Sequence, residues 1–412
     1  MQFNVFKNTV LLFVLAMISC ANASKKEVLI EKKSVATNTQ QTTAASIVVG
    51  ANQTERYLPL LKGKRVGIVG NQTSVIFKSD ESYTHLVDSL LALKVNITKV
   101  YAPEHGFRGT ADAGEHIKDG IDVKTGVPII SLYGNNKKPK PEQLKDIDLI
   151  IFDIQDVGAR FYTYISTLHY VMEACAEANI PVLILDRPNP NGHYIDGPIL
   201  EPQYKSFVGM HPIPVVHGMT IGEYAKMING EHWLNNGMQC KLDVIPVKNY
   251  NHNTPYSLPI KPSPNLPNDK AINLYPSLCF FESTNVNAGR GTETQFQVFG
   301  SPFLNKNIYK FSYTPKPNEG AKHPKHEGKL CYGKDLTQTE NLNGLNLQWL
   351  IEAYNNTADK KTFFTSFFIK LAGTKTLLEQ IESGTSQENI KKSWAPGLNA
   401  FKEKRSKYLI YN

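Results

Sequence analysis

Cysteine is scarce in this chain, with five among 412 residues and no pair in a C-x-x-C spacing. Apart from Cys20, the cysteines lie far apart in the sequence, at Cys175, Cys240, Cys279 and Cys331. Such spacing excludes a zinc cluster built on cysteine pairs and a disulfide scaffold. We therefore expect the cysteines beyond Cys20 to be buried free thiols.

Several motifs of cofactor and catalytic sites are also missing. Gly67-x-x-Gly70 follows a predicted strand, but G-x-G-x-x-G, the P-loop lysine motif, G-x-S-x-G and H-E-x-x-H do not occur. These absences disfavour a redox cofactor and a serine nucleophile, and we expect no cofactor. Glu104-His105 and Glu115-His116 lie near each other but lack the helical spacing of zinc enzymes, so we expect no metal site. A metal-dependent hydrolase stays open as an alternative.

Charge of one sign is not concentrated anywhere in the chain. Charged residues make up 20% of the sequence, and the formal net charge of +8 comes largely from lysines in tails and loops. Without a basic stripe interleaved with aromatic side chains, we expect no nucleic-acid partner. A hydrophobic share of 41% over 412 residues predicts a globular protein of two domains.

The N-terminus has the pattern of an export signal. Lys7 precedes residues 10–18, an apolar run that is too short to span a bilayer and is typical of a signal peptide. Ser19-Cys20 then resembles a bacterial lipoprotein cleavage site, after which Cys20 is the lipidated first residue. The alternative is cleavage after Ala23, which gives a soluble exported protein. We expect a signal peptide at 1–20 and a periplasmic or cell-envelope lipoprotein that meets the membrane only through its lipid anchor.

The rest of the chain predicts a tether followed by two α/β domains. Residues 21–46 are too polar to fold and predict a flexible tether. In the first domain, 47–230, the pattern predicts strands at 65–69, 97–101, 127–132, 148–152 and 181–185, and helices at 83–93, 166–178 and 221–228. Apolar strands that alternate with amphipathic helices are typical of a parallel sheet covered on both faces.

The second domain, 231–412, is predicted to have its own core. The pattern predicts a strand at 242–247, a long loop rich in Pro and Asn at 250–269, and helices at 345–355, 375–383, 387–393 and 400–409. Thr385 with Glu388 matches a capping box at the start of the helix 387–393.

The most informative stretch is residues 97–109, ITKVYAPEHGFRG. It opens as a β-branched strand and then presents Glu104, His105 and Arg108 in a loop bracketed by Pro and Gly. Ligand sites of parallel sheets lie beyond the carboxyl ends of the strands, so this loop is predicted to be part of an active site. Glu104 is the candidate general acid. The alternative is that Glu104 caps the next segment and His105 binds backbone.

Polar residues also follow other predicted strands. Asn71 lies in the loop after the first strand, which predicts either a site for a neutral ligand or a helix cap. Asp153, Arg160 and Tyr164 follow the fourth strand, and this combination suits a ligand with hydroxyls and an acidic group. The alternative is that Asp153 and Arg160 pair with each other and fix the loop.

Two loops of the second domain concentrate amide, hydroxyl and charged side chains. Such surfaces flanked by aromatic residues are typical of sugar recognition, because sugar hydroxyls need neutral donors and acceptors. The alternative is that many of these residues only form turns. The candidates are Asn265, Glu282, Asn287, Arg290, Thr292 and Glu293.

Eight segments resemble a known family. GNQTSV, APEHGFRG, DIQDVGARFYTY, LDRPNPNG, HGMTIGEYA, PSPNLP, YPSLCFFESTNVNAGRGT and FQVFGSP follow one another from about residue 50 onward. Together they are similar to the bacterial exo-β-N-acetylmuramidases, glycoside hydrolases once described as a domain of unknown function. The resemblance implies release of N-acetylmuramic acid from the non-reducing ends of peptidoglycan-derived muropeptides or disaccharides. It also implies a Rossmann-like domain, a smaller C-terminal α/β domain and an active site in the cleft between them.

The resemblance makes Glu104, in the EHG motif, the leading catalytic candidate. Glycoside hydrolysis usually takes two carboxyl groups, and for the second we rank Glu282 before Asp153 and Glu293. The acetamido group of the sugar is the alternative nucleophile.

The lactyl carboxylate distinguishes muramic acid from glucosamine, and a cation is expected to bind it. The candidates are Arg160, Arg108 and Arg290. A sugar-binding surface lipoprotein without catalysis is the remaining alternative function.

Overall fold

The computed structural model describes residues 46–80, 82–109 and 119–411. The chain divides into Met1–Ala44 and Ala45–Asn412, and the described residues belong to the second unit. The predicted signal peptide, Cys20, all of the tether before Ser46 and the Glu115-His116 pair lie outside the described residues. None of the helices in the described ranges is long and apolar enough to cross a lipid bilayer.

Strands and helices alternate along the first half of the chain, and helices dominate the end. The described strands are β1 (Arg65–Gly70), β2 (Val75–Phe77), β3 (Tyr83–His85), β4 (Asn96–Ala102), β5 (Gly120–Ile121), β6 (Pro128–Ser131), β7 (Leu149–Asp153), β8 (Val182–Leu185), β9 (Leu242–Ile245), β10 (Val298–Ser301), β11 (Phe311–Tyr313) and β12 (Cys331–Asp335). The described helices are α1 (Thr54–Leu61), α2 (Leu86–Ala92), α3 (Pro141–Leu144), α4 (Tyr164–Glu177), α5 (Ile221–Gly230), α6 (Asp269–Leu278), α7 (Gln348–Asn355), α8 (Phe368–Ala372), α9 (Thr376–Glu382) and α10 (Gln387–Ser406).

A large sheet with the strand order β5-β6-β4-β1-β7-β8-β9 forms the centre of the fold. Its neighbouring strands are parallel, except that β5 pairs antiparallel with β6 at one edge. Every residue of β7 and β8 is buried, as parallel strands covered on both faces require. Ile150 and Phe152 of β7 join the core that contains α4 and α5, whereas Ile151 joins the core that contains α1 and α2. The predicted α/β class with a parallel sheet is confirmed.

The large sheet continues beyond the boundary that the sequence placed at residue 230. β9 pairs parallel with β8, so that Val182 lies opposite Leu242, although the pattern assigned residues 242–247 to the second domain. The chain crosses from β8 to β9 through α5, and α5 packs on the core that contains Val182 and Ile184 of β8. The change of composition near residue 230 therefore marks a connection within the sheet.

A smaller antiparallel sheet and several helices make up the C-terminal part. The strand order of the small sheet is β10-β12-β11. Where the sequence predicted two helices, α10 is a single helix, and its N-cap is Ser386 rather than Thr385. Pro396 inside α10 is exposed, and Ile390, Trp394 and Phe401 are buried on one face across it. This continuous apolar stripe explains why the helix does not stop at the proline.

Candidate active site

A cavity of about 360 Å³ lies at the carboxyl edge of the large sheet. Loops after β4, β6 and β7 form one side of it, and α6 with the loops that follow forms the other. The polar residues that line the cavity are Glu104, His105, Tyr133, Tyr162, Thr163, Ser263, Asn265, Tyr275, Glu282 and Arg290. This is the position at which parallel sheets place ligand sites.

Glu104 is half-buried in the cavity wall and has defined partners. Thr163, at the N-terminal end of α4, donates from Oγ1 to Glu104 Oε2 over 2.8 Å. The Tyr133 phenol is hydrogen-bonded to Glu104 as well, and burial together with the Glu104 charge raises the pKa of Tyr133. These contacts fix the direction of the carboxyl group and keep it in reach of a ligand.

The turn after Glu104 has an unusual backbone. His105 has a φ of 71°, in the left-handed region that residues with a Cβ seldom occupy, and Gly106 continues at 79°. His105 is only 4% exposed and lines the cavity next to Glu104. Non-glycine residues in this region cost free energy and cluster at functional sites.

His85 anchors the loop that carries Glu104. The sequence predicted a helix from residue 83, but β3 occupies Tyr83–His85 and α2 begins after it, with His85 as N-cap. His85 Nε2 donates to the Asn71 carbonyl oxygen over 2.9 Å, and its Nδ1 accepts from Val87 N. The Phe107 ring packs edge-on against the imidazole, with 4.7 Å between ring centroids.

We expect His85 to titrate near pH 4. Burial lowers the pKa of His85 to about 4, and protonation of Nδ1 would remove the helix cap. An unfolded histidine has a pKa of about 6.5, so the unfolded chain binds the extra proton first and the stabilising contribution is lost as the pH falls from about 6.5 to 4. NMR titration of the imidazole nitrogens measures this pKa. A His85 midpoint near 6.5 would contradict it.

Glu282 and Arg290 form the charged part of the opposite wall. Arg290 Nη1 lies 3.0 Å from Glu282 Oε2, and Arg290 Nη2 donates to the Gly320 carbonyl over 3.1 Å. The side chains are 31% and 22% exposed for Glu282 and Arg290, so both reach the cavity. Lys325 Nζ lies behind them and donates to the carbonyls of Phe281 and Val286. The cavity thus contains a second carboxylate with a guanidinium beside it.

Of the other candidates in the second half of the chain, only Asn265 lines the cavity. It is 3% exposed, and its Nδ2 donates to the Gly320 carbonyl. Asn287 donates to the carbonyls of Arg290 and Lys325, and Thr292 donates to the Gly289 carbonyl, so both shape the loop that holds Arg290. Glu293 is exposed and lies outside the cavity lining.

Asp153 belongs to a buried ion pair instead of the cavity. Its two oxygens accept from Arg187 Nε at 2.6 Å and from Arg187 Nη2 at 2.9 Å, and both side chains are almost inaccessible. The alternative that Asp153 pairs with Arg160 is therefore wrong, since its partner is Arg187. A carboxylate held on both oxygens by one guanidinium cannot also reach a sugar in the cavity.

Arg160 is fully buried and bound to backbone. Nη1 donates to the carbonyls of Pro198 and Ile213 at 2.8 and 2.7 Å, and Nη2 donates to those of Leu371 and Ala372 at 3.0 and 2.7 Å. The side chain is 0% exposed. The structure thus contradicts the prediction that Arg160 binds a substrate carboxylate, because its planar fork is occupied by main-chain oxygens.

Arg108, Asn71 and Tyr164 also lie outside the cavity lining. Arg108 pairs with Asp88 at 3.0 Å and with Asp122 at 2.7 Å. Asn71 Nδ2 donates to the Tyr164 hydroxyl over 2.9 Å, and both side chains are buried. These residues support the loops that carry the cavity residues and do not line the cavity.

The sequence missed several aromatic and hydroxyl residues of the site. Tyr133 lies two residues after the end of β6, so its place near a strand end was a usable signal, and Thr163 lies within the polar stretch after β7. Phe207 packs against Tyr133 with 6.3 Å between centroids, and Phe367 is 47% exposed at the cavity. No sequence spacing brings these last two residues to the site. Among the described residues no group of three or more His, Cys, Asp or Glu side chains could hold a metal ion.

Two family models cover most of the chain. The N-terminal domain of exo-β-N-acetylmuramidase NamZ matches residues 66–270, and the C-terminal domain matches residues 273–411. The chain belongs to the NamZ family. The peptidoglycan β-N-acetylmuramidase NamZ of Bacillus subtilis (strain 168) is 40% identical over 376 residues, which is 86% of this chain and 89% of that protein.

Two solved structures share the fold of this chain. Crystal structures of two DUF1343 family proteins from Bacteroides fragilis NCTC 9343 each cover 89% of this chain and 99% of their own. One is 48% identical with a TM-score of 0.82, and the other is 30% identical with a TM-score of 0.75. The predicted two-domain architecture is thereby confirmed. Glu104 belongs to the NamZ N-terminal domain, whereas Glu282 and Arg290 belong to the C-terminal domain, so both domains build the cavity.

Proposed function

We propose that the protein is an exo-acting β-N-acetylmuramidase that releases N-acetylmuramic acid from the non-reducing ends of peptidoglycan fragments. One observation carries the proposal: Glu104 and Glu282, from different domains, line a single cavity that also contains Arg290. Two carboxyl groups are the usual requirement of glycoside hydrolysis. A cavity of about 360 Å³ suits one sugar residue at the end of a glycan chain.

Glu104 is the proposed general acid. Thr163 donates to Glu104 Oε2 and the Tyr133 phenol is hydrogen-bonded to the same carboxyl group, and we assign to this carboxyl group the proton for the departing sugar oxygen. Tyr133 and the rigid turn at His105 hold the group in place. Glu282 is the proposed second carboxylate, which either activates water or stabilises the positive charge that develops on the sugar ring.

Arg290 is the proposed partner of the lactyl carboxylate. It is partly exposed in the cavity, whereas Arg160 binds main-chain carbonyls and Arg108 pairs with two aspartates. Arg290 also contacts Glu282, so a bound lactyl group would share the guanidinium with the second carboxylate. This arrangement gives the substrate acid a direct influence on the catalytic pair.

A chromogenic β-N-acetylmuramide, assayed beside the matching β-N-acetylglucosaminide, tests the proposal. We expect turnover of the muramide and little of the glucosaminide, because only the muramide carries the lactyl acid that Arg290 binds. Turnover of the glucosaminide alone would refute the assignment. The same assay after treatment with a chelator tests the metal-dependent alternative, which requires that activity is lost.

Export as a lipoprotein is the remaining part of the proposal. It rests on the apolar run at residues 10–18 and on Ser19-Cys20. Labelling cells with a radioactive fatty acid should mark the wild-type protein and not a Cys20→Ala variant. Equal labelling of both would contradict the anchor.

Removal of the Thr163 hydroxyl is expected to lower kcat/KM for the muramide about tenfold, because Thr163 orients the Glu104 carboxyl. Thr163→Ser keeps the donor and should restore most of the activity, whereas Thr163→Ala should also shift the pH–rate profile. Steady-state kinetics across pH measures both effects. If Thr163→Ala matches the wild type at every pH, the hydrogen bond has no part in positioning the acid.

A further inference from the structure

A second cavity, of about 600 Å³, lies elsewhere on the same edge of the large sheet. Asn191 in its lining belongs to the loop after β8, while Glu104 in the first cavity follows β4. Helix α6 contributes to both cavities, through Tyr275 to the first and through Asn273 to the second. Nothing in the reaction described above uses this second cavity.

The lining of the second cavity is rich in amides and poor in charge. It contains the side chains of Asn191, Asn253, Asn273, Asn341 and Asn343. Among the described residues that line it there is no lysine or arginine, and Asp269 supplies the single carboxylate. His193 supplies an imidazole, whose Nε2 is engaged with the Leu342 carbonyl at 3.3 Å. A phosphate or a carboxylate ligand would need cationic partners, so this composition favours a neutral ligand. Amides both donate and accept, as sugar hydroxyls and acetamido groups require.

Two of these amides are not used by the fold. Asn273 is engaged with the backbone of Leu342, and Asn341 accepts from Lys270. In contrast, Asn253 and Asn343 are exposed, and within the described ranges their side chains make no hydrogen bond. These two amides are therefore available to a ligand.

The cavity also has a buried acceptor and an aromatic wall. Asn191 is 1% exposed and donates through Nδ2 to the carbonyls of Val157 and Ile272, while its Oδ1 accepts no hydrogen bond from the described residues. Tyr256 is half-buried against the core and presents part of its ring to the cavity. A ring face next to amides is a common surface for a sugar.

We propose that this cavity is a second carbohydrate-binding site, which takes a neutral N-acetylated sugar unit of a glycan strand. The choice of ligand rests on the proposed function, since an enzyme that trims strand ends meets the internal sugars of the same polymer. The binding itself depends only on the second cavity. Such a site would hold the polymer near the catalytic cavity without taking part in bond cleavage.

The test is the affinity for a tetrasaccharide of β-1,4-linked N-acetylglucosamine, which lacks the lactyl acid. We expect saturable binding by calorimetry, and an Asn253→Ala/Asn343→Ala double variant should bind about tenfold more weakly. Asn307→Ala, an exposed asparagine outside both cavities, should bind as the wild type does. Raising NaCl from about 0.05 M to about 0.5 M should change the affinity less than twofold, because no ion pair is formed.

Four results would contradict the proposed sugar site in the second cavity. Absence of saturable binding, or unchanged affinity in the double variant, would overturn it. Loss of binding in Arg290→Met would place the tetrasaccharide in the catalytic cavity, and displacement by an acidic stem peptide would make this a peptide site. The double variant should keep its kcat/KM for the chromogenic muramide. Failure of the wild type to cleave the muramide would refute the proposed function. The tetrasaccharide titration would still decide whether the second cavity binds sugar.

Discussion

Glu104→Gln is expected to lower kcat for a chromogenic β-N-acetylmuramide by about 10²- to 10⁴-fold. The amide has nearly the shape of the carboxyl group and can still accept a hydrogen bond from Thr163, but it cannot give up a proton to the leaving sugar oxygen. The affinity for a muropeptide should stay close to that of the wild type. Steady-state kinetics and calorimetric titration with an unlabelled muropeptide measure the two quantities separately.

Glu293→Gln is the matched control for the Glu104 variant. It makes the same chemical change at an exposed glutamate that lies outside the cavity lining, and it should leave kcat within about twofold of the wild type. The pair also tests the non-catalytic alternative. A sugar-binding lipoprotein would show the same negligible turnover in the wild type and in both variants, whereas full activity of Glu104→Gln would remove Glu104 from the mechanism.

Arg160→Met is expected to lower the free energy of unfolding by about 3 kcal/mol. The substitution keeps much of the side-chain volume but removes the donor of the buried carbonyls of Pro198, Leu371 and Ala372. The Ile213 carbonyl keeps the Leu200 amide as a donor. A buried acceptor without a partner retains its full desolvation cost. Urea unfolding followed by fluorescence and by circular dichroism measures the loss.

Arg65→Met is the matched control for the Arg160 variant. Its side chain is 45% exposed and pairs with Asp148 at the surface, so its loss should lower the free energy of unfolding far less than the loss of Arg160 does. The structural role of Arg160 would be contradicted if Arg160→Met were as stable as the wild type. The same variant would then have to bind the muramide more weakly than the glucosaminide. That outcome would return Arg160 to the binding of the lactyl group.

The fold could be predicted from the sequence because its signal is local. β7 and β8 are short, apolar and separated by a helix, so the pattern of each segment already determines a parallel sheet. The helix boundaries were predicted less accurately where a local sequence signal opposes a contact with a distant part of the chain. α10 continues past Pro396 because Trp394 and Phe401 pack on the body of the protein, and no local rule contains that information.

The site was only partly predictable for a related reason. Glu104 and Asn265 were found because chemistry-bearing residues directly after strands, or crowded into polar loops, are typical of sites. Arg160 also lies in a polar segment that follows a strand, so the sequence predicted it as a site residue. The carbonyls that bind its guanidinium come from segments far along the chain. A sequence shows which residues a loop contains. Whether each side chain faces the cavity or the protein interior depends on these remote partners.

The position of Arg160 has a consequence for how the enzyme would work. Its guanidinium binds the carbonyl of Pro198 in one domain and that of Ala372 in the other, so the two domains share a buried crosslink without a covalent bond. Opening a hinge there would break these hydrogen bonds, and large clamshell motions need a joint that is free to bend. The entrance is therefore expected to keep a constant width through the catalytic cycle, so that the bulk of a glycan end limits its entry before Arg290 can select the lactyl acid.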